Sequence, residues 1–432
     1  MKRILSFITL VFFVTASAQV QTISKSDYEK ADFTNLTTLQ NDLKNVRIIG
    51  LGESSHYMGE TYVSKIKMVK YLHQHCGFDV IAIESPLYDL KKYYNETVKT
   101  NQVKTPWHFT EISGVWITDD MYELFDYILE TQKTDRPLIY TGFDEKLFYR
   151  FDYKLNDDYN EFLEKLNADT GSNIKTDSLF KKALNFTAEK CYYFAKVPPK
   201  DTLVLHNTFN EVKKALNKLE TKNGYYYFWE RMTENIKSLY RTNYKGLSHR
   251  DKQMAENVSY LAKHEFPDKK IILWAASIHL MDNITKINQY DKKRFAKDYT
   301  MGHFLREKFK DQYYVIGFVP ATGITGFKGY LGLGKLRAKA KKGSIERHIL
   351  DNYNPDYAFI SLRNEPSRKE MANSKIDKSN LMGLTQFKMD MLSVVDAFFY
   401  LKEEHLVSFE KRKAYFKKER EDLERTADTS NK

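Results

Sequence analysis

The stretch IIGLGESSHYMGE, Ile48 to Glu60, decides how this chain is read. Its apolar half, which extends back to Val46, shows no alternation of polar and apolar residues, so it predicts a strand buried on both faces. The run then stops at Glu53, Ser54, Ser55 and His56, groups that are costly to bury unless paired. A plain turn needs none of them, and their place at a strand end calls for a chemical reason.

Six runs of similar character follow: DVIAIE (79–84), PLIYTGF (137–143), KIILWAA (270–276), YYVIGFV (313–319), YAFISL (357–362) and a weaker VVDAFFYL (394–401). Between the first two strands, Tyr62, Ile66, Val69 and Leu72 fall at helical spacing, and Gly77 supplies a stop. Strand, helix and strand in succession make a βαβ unit. Its repetition predicts an α/β fold with a mainly parallel central sheet flanked by helices. The rhythm lapses over residues 151–246, which carry no convincing strand and mixed helical spacings, and this region reads as a helical insertion or cap. Its most aromatic part, GYYYFW (224–229), is read as packing the insertion's own core. The expected organisation is a core in two parts, 19–150 and 247–402, the insertion 151–246, and a charged C-terminal helix and tail over 403–432.

The question raised by the first strand applies to the others. The second ends at Glu84, the third at Asp144, and the fourth, ILWAASIH, delivers His279. In an open parallel sheet the carboxyl ends of the strands share one edge, and ligand sites form there. Two histidines and three carboxylates therefore converge on one rim. A histidine backed by a carboxylate is a ready general base, because the carboxylate fixes the tautomer and supports the imidazolium. No G-x-S-x-G elbow is present, so water activated by His56 is the simplest nucleophile, although Ser54 and Ser55 stand beside it. The same Glu/His rim would also suit a hydrolytic metal, but the spacing is not that of an HExxH helix.

Other features bound the answer. Lys2 and Arg3, an apolar run from Ile4 to Val14 and the small residues Ala16-Ser17-Ala18 describe a secretory signal peptide over 1–18 cleaved after Ala18. An exported protein, periplasmic or secreted, is expected, with no later segment apolar enough for stable membrane insertion. The formal net charge of +11 is dispersed over many lysines, with one compact cluster at KLRAKAKK (335–342), and is read as a basic solvated surface. No nucleic-acid-binding module accompanies it. GYLGLGK (329–335) lacks the strand-then-helix context of a phosphate loop. Cys76 and Cys191 could pair after export or remain free, and two cysteines alone do not make a metal site.

These residues, taken in order, resemble the erythromycin esterase family. The family's GExxHG is matched by Gly52-Glu53-Ser54-Ser55-His56, followed by Glu60, and its next strand ends in a glutamate, here Glu84. Trp116 matches a tryptophan before a helix, and Gly142-Phe143-Asp144 matches a GxD. RDxxMAxN is matched by Arg250-Asp251, Met254-Ala255 and Asn257, and the WAHNxH strand end by Trp274-Ala275 and His279. Met301-Gly302 with Leu305, the run Tyr313 to Phe318, and Gly343-Ser344-Ile345-Glu346 complete the series. The resemblance implies an α/β core with a helical domain. It further implies hydrolysis of an ester or lactone by a histidine-activated water, with no cofactor and no required metal. His56 would be the general base, and Glu53, Glu84 and His279 its polar surroundings. Glu60, Lys65, Trp116, Asp144, Arg250 and Trp274 would support or contact substrate.

Four positions depart from the family pattern. Ala276 and Ser277 replace a histidine and an asparagine, Tyr57 replaces the glycine after the first histidine, and Lys65 stands where arginine is usual. A small-molecule ester or lactone other than a macrolide is therefore the expected substrate. Two alternatives use the same rim: a metal-dependent hydrolase or peptidase, and an exported protein that binds a ligand without turning it over.

Overall fold

Alternate residues of each central strand enter two different cores. Ile48, Val80, Ile271, Leu273 and Val315 pack on one side of the sheet, and Ile49, Leu51, Ile81, Ile272 and Ile316 on the other. That division explains the unbroken apolar runs, since neither face meets water. The computed structural model describes residues 20–103, 105–109, 112–147, 154–192, 198–241, 248–288, 298–325, 336–383 and 386–430. The signal peptide over 1–18 and GYLGLGK lie outside the described residues, as does part of the basic cluster at 335–342.

The described strands are β1 (Gln21–Ile23), β2 (Ile48–Glu53), β3 (Phe78–Pro86), β4 (Ile139–Asp144), β5 (Lys270–Ala276), β6 (Ile287–Asn288), β7 (Tyr313–Thr325), β8 (Leu336–Lys339), β9 (Tyr357–Ser361), β10 (Lys378–Ser379), β11 (Phe387–Met389) and β12 (Ala397–Glu404). The main sheet runs β1-β9-β12-β7-β2-β5-β3-β4, with β8 paired to β7, and β10-β11-β6 form a small separate sheet. From β12 to β4 every pairing in the main sheet is parallel. At the far edge β9 runs antiparallel to β12, and β1 antiparallel to β9. The fold is thus α/β, with a mixed but mostly parallel sheet.

All seven apolar runs become strands. The last is shifted: Met391–Val394 forms a helical turn and β12 starts at Ala397. Asp396, just before it, is held by Arg306 and Arg363 and accepts the Val315 N–H. The helix after β2 spans Gly59–Cys76 and ends on Gly77 at φ 76°, a left-handed cap that glycine adopts without penalty. Between β4 and β5 lie the helices Leu155–Thr170, Ser178–Tyr192, Pro199–Leu216 and Gly224–Arg241, followed by Ser248–Tyr260. Trp229 stacks on Phe162 at 5.3 Å between centroids, and Tyr226 and Trp229 are both buried. The aromatic run does pack the insertion's own core.

The C-terminal charged helix spans Glu410–Ser430; residues 403 and 404 still belong to β12. Cys76 is a free thiol, and the side chain of Cys191 lies outside the described residues. Among the described residues no helix is long and apolar enough to cross a membrane.

Candidate active site

The order β2-β5-β3-β4 sets four parallel strands side by side, so their carboxyl ends form one rim. Glu53 closes β2, Glu84 lies near the end of β3, Asp144 closes β4, and His279 sits on the turn Ser277–Leu280 that follows β5. Pairing between β3 and β4 slips between Ile83 and Pro86, a bulge that re-aims the chain at Glu84. The bulged backbone passes so close to Gly142 that a Cβ there would lie 2.3 Å from the Ser85 carbonyl oxygen. The glycine of the GFD sequence is therefore a steric requirement of the rim.

Two groups of side chains occupy this rim. The first is built on Glu53, which is fully buried. One carboxylate oxygen accepts a charge-assisted bond from Lys65 Nζ, which rises from the helix Gly59–Cys76. The other lies 3.1 Å from His56 Nδ1. A carboxylate can only accept, so Nδ1 carries the proton and the Nε2 lone pair is left available. The His56 side chain is 29% exposed, and its ring meets Trp116 edge to face at 5.0 Å. Beneath it Lys65 Nζ lies 3.9 Å from the Trp274 ring centroid, a cation–π contact in a fully buried setting. Burial pushes the Lys65 ammonium down to about 8, against the opposing pull of Glu53. Tyr57 stands at φ 66°, a conformation that costs a side-chain-bearing residue about 1–2 kcal/mol. Its N–H donates to the Tyr62 hydroxyl at 2.9 Å, which helps fix the loop bearing His56.

The second group is an ion network. Arg250, near the start of the helix Ser248–Tyr260, holds Asp144 through two bonds of 3.0 and 2.6 Å and Glu84 through one of 2.9 Å. His279 Nδ1 lies 2.9 Å from Asp251, and its Nε2 lies 3.3 Å from both Glu84 and Arg250. Asp251 in turn accepts the Met301 N–H at 2.9 Å, at the start of the helix Met301–Phe309. Gly302 is needed there, because a Cβ would lie 1.9 Å from the Leu280 carbonyl oxygen. The second Glu84 oxygen accepts the Ala276 N–H at 3.1 Å.

Burial works against every charge in this network, and the partners overcome it. Glu84 is held well below the usual carboxylate range by His279, Arg250 and His56, although burial alone would raise it. Asp144 is lowered by Arg250 and Lys146 in the same way. The His279 imidazole is raised above its ordinary value, because Asp251 and Glu84 outweigh the desolvation that would lower it. His56 acts on Glu84, so the two groups face one another within the same cleft.

The structure brings Glu53, His56, Lys65, Trp116 and Trp274 together, and brings Glu84, Asp144, Arg250 and His279 together beside them. Glu60 stands apart. Its carboxylate accepts from the Tyr28 and Tyr357 hydroxyls at 2.6 and 2.9 Å, which tie the helix to the antiparallel edge of the sheet. Asp251 is the partner that sequence reasoning did not single out. Its only signal was its place beside Arg250 in the RDxxMAxN pattern. Glu53 is committed to Lys65 and Glu84 to Arg250, so fixed cations already neutralise the carboxylates a metal would need. Among the described residues no group of three His, Cys, Asp or Glu side chains is placed to hold a metal ion.

A parallel sheet with a Glu/His cluster at its carboxyl rim, capped by helices inserted between two core strands, defines a class of α/β protein. Within that class the chain belongs to the erythromycin esterase family, whose profile matches residues 73–403. The match takes in Glu84, Asp144, Arg250 and His279; Glu53 and His56 precede it. A curated relative named "Putative hydrolase YbfO", from Bacillus subtilis (strain 168), is 29% identical over 327 residues, covering 69% of this chain and 70% of its own. The names of the family and of this relative indicate a hydrolase.

Three solved structures share the fold. A succinoglycan biosynthesis protein superposes with a TM-score of 0.69 at 18% identity, covering 90% of this chain and 96% of its own. A Bacillus cereus protein does so at 0.68 and 19%, with the same coverage. A mutant of the erythromycin esterase EreC, in its open conformation, gives 0.52 at 17%, covering 87% and 95%. At these identities the likeness speaks for the fold alone.

Proposed function

We propose that the protein hydrolyses a carboxylic ester or lactone with a water activated by His56. The observation that carries this reading is the pairing of a partly exposed imidazole, through Nδ1, with a buried glutamate whose other oxygen is held by Lys65. His56 Nε2 takes a proton from water as the water oxygen bonds to the ester carbonyl carbon. The C–O bond of the leaving group then breaks, and the alkoxide takes up the proton from the imidazolium. Glu53 supports the imidazolium through this cycle, as a carboxylate does for a catalytic histidine.

The departures at β5 bear on the substrate. Ala276 offers only its N–H, to Glu84, and Ser277 is buried against Gly52 with its hydroxyl unpartnered. The rim therefore lacks the additional imidazole that the resemblance leads one to expect, and macrolide lactones should be poor substrates.

A panel of esters and lactones, macrolides included, tests both points. On any substrate found, His56→Ala should lower kcat by about 10²–10⁴-fold, the usual worth of acid–base catalysis, without loss of folding. Turnover like the wild type by a folded His56→Ala protein would refute the mechanism. Ala276→His should raise macrolide hydrolysis relative to the other substrates. Efficient macrolide ring opening by the wild type would show that the missing imidazole is dispensable.

A further inference from the structure

Away from the rim, a second cavity of about 410 Å³ opens inside the helical insertion. It lies between the helices Pro199–Leu216, Gly224–Arg241 and Ser248–Tyr260, and its lining includes Lys213, Arg231, Lys237, Ser238, His249 and Lys252.

Arg231 is the anomaly. Its guanidinium is largely removed from solvent, and among the described residues it makes neither a hydrogen bond nor an ion pair; Nη1 is fully buried without a partner. Buried charges are ordinarily paired, since an unpaired one forfeits its hydration for nothing. The carboxylates whose fields reach Arg231 are those of Glu256, Glu234 and Glu230. Each is claimed by a lysine: Glu256 by Lys308 at 2.6 Å, Glu234 by Lys237 at 3.1 Å and Glu230 by Lys222 at 2.8 Å. The negative charge near the cavity is thus already spent. Lys213 and Lys252, exposed at its wall, have no ion-pair partner among the described residues. Three cations, one of them buried with open donors, face a space without a matching anion.

We propose that this cavity binds a phosphate group carried by a small organic molecule. A planar guanidinium with two flanking ammonium groups matches a tetrahedral dianion, which takes several charge-assisted bonds at once. A bare phosphate ion would leave most of the volume empty, whereas the cavity falls in the size range of sites that hold small organic ligands. The cavity also communicates with the rim. Ser238 donates to the buried Glu145 and lies 2.9 Å from His249 Nε2. Glu145 and His249 are the chain neighbours of Asp144 and Arg250. The binding claim stands apart from ester hydrolysis, and its test needs no turnover.

Isothermal titration of the full-length chain with phenyl phosphate, inorganic phosphate and, at matched ionic strength, sodium chloride tests the site. Phenyl phosphate should bind at one site per chain and chloride should not. Arg231→Gln should weaken binding by about tenfold or more, as expected for losing hydrogen bonds to a charged group. The same variant should melt no lower than the wild type without ligand, because it removes an uncompensated charge. Should Arg231→Gln fail to fold, the exposed Lys252→Ala decides, and it should weaken binding by a smaller factor. Absence of phenyl phosphate binding, or wild-type affinity in the folded variants, would overturn the proposal. Equal affinity for phenyl phosphate and inorganic phosphate would overturn its organic part and leave a site for the free anion.

Discussion

The two histidines of the rim occupy opposite electrostatic positions. His56 is engaged at Nδ1 only, is partly exposed, and has aromatic rings for walls. His279 is buried, with Asp251 at one nitrogen and Glu84 and Arg250 at the other. A general base must accept a proton and give it back, so it needs a free lone pair and access to water. Only His56 has both. His279, favoured as an imidazolium, suits a structural cation that keeps Glu84 ionised. One half of the rim is arranged to move a proton and the other to hold charge still.

Substitutions can break that contrast, and the loss of rate at His56 should be the largest effect. Next comes Arg250. It joins Glu84 and Asp144, whose side chains are 8% and 2% exposed, and its own is 18% exposed. Arg250→Met leaves two buried carboxylates without their cation. Breaking a buried pair in this way costs about 3–5 kcal/mol, read as a lower urea midpoint. An unchanged midpoint would mean that the network is far better solvated than it stands here.

His279→Gln should cost less, about 1.5–3 kcal/mol for lost bonds to charged groups. Its pH dependence sharpens the comparison. The folded protein raises the His279 pKa above the ordinary value of 6.5, so its contribution is complete below 6.5 and fades as pH rises through the folded value. The gap in stability between wild type and His279→Gln should therefore be wide at pH 5.5 and narrow in alkali. A gap that widens with pH would reverse the assignment of His279 as a held imidazolium.

Much of this arrangement was legible in the sequence, for an identifiable reason. A strand buried on both faces must be apolar throughout, so Glu53, Glu84, Asp144 and His279 stood out where the runs ended. The order of parallel strands then brought those ends together. The direction of β9 left no such mark, because an apolar run reads the same in a parallel or an antiparallel pair; hence the mixed edge. β1, at three residues, is too short to carry a pattern. Glu60 looked like part of the site because it follows His56 closely, but one turn of helix points it at Tyr28 and Tyr357 instead. Asp251 was hidden for the opposite reason. Adjacent helical residues normally diverge, and here Arg250 and Asp251 both reach the rim because their helix starts against it. The Arg231 cavity left no sequence signal at all, since what marks it is the absence of a partner, which only coordinates reveal.

Lys65 offers the finest test of the mobile half. It is fully buried, paired with Glu53 and set over Trp274, and burial brings its pKa from 10.5 to about 8. Between those two values the unfolded chain holds a proton that the folded chain has released, so stability should rise with pH across that window. The cost of burying the charge is present below 8 and relieved above it. Catalysis should respond in the opposite sense. Once Lys65 is neutral, Glu53 loses the cation that fixes its orientation toward His56, and kcat/KM should fall above pH 8. One unit above that pKa only about a tenth of the lysines stay charged, so the loss at pH 9 should be about tenfold. Lys65→Arg places the family's usual cation at the same point, and arginine does not deprotonate in this range. The variant's profile should stay flat through pH 9, with a modest change in rate at pH 7 because a planar guanidinium replaces a point charge. An alkaline limb that persists unshifted in Lys65→Arg would assign that titration to another group and leave Lys65 a purely structural cation.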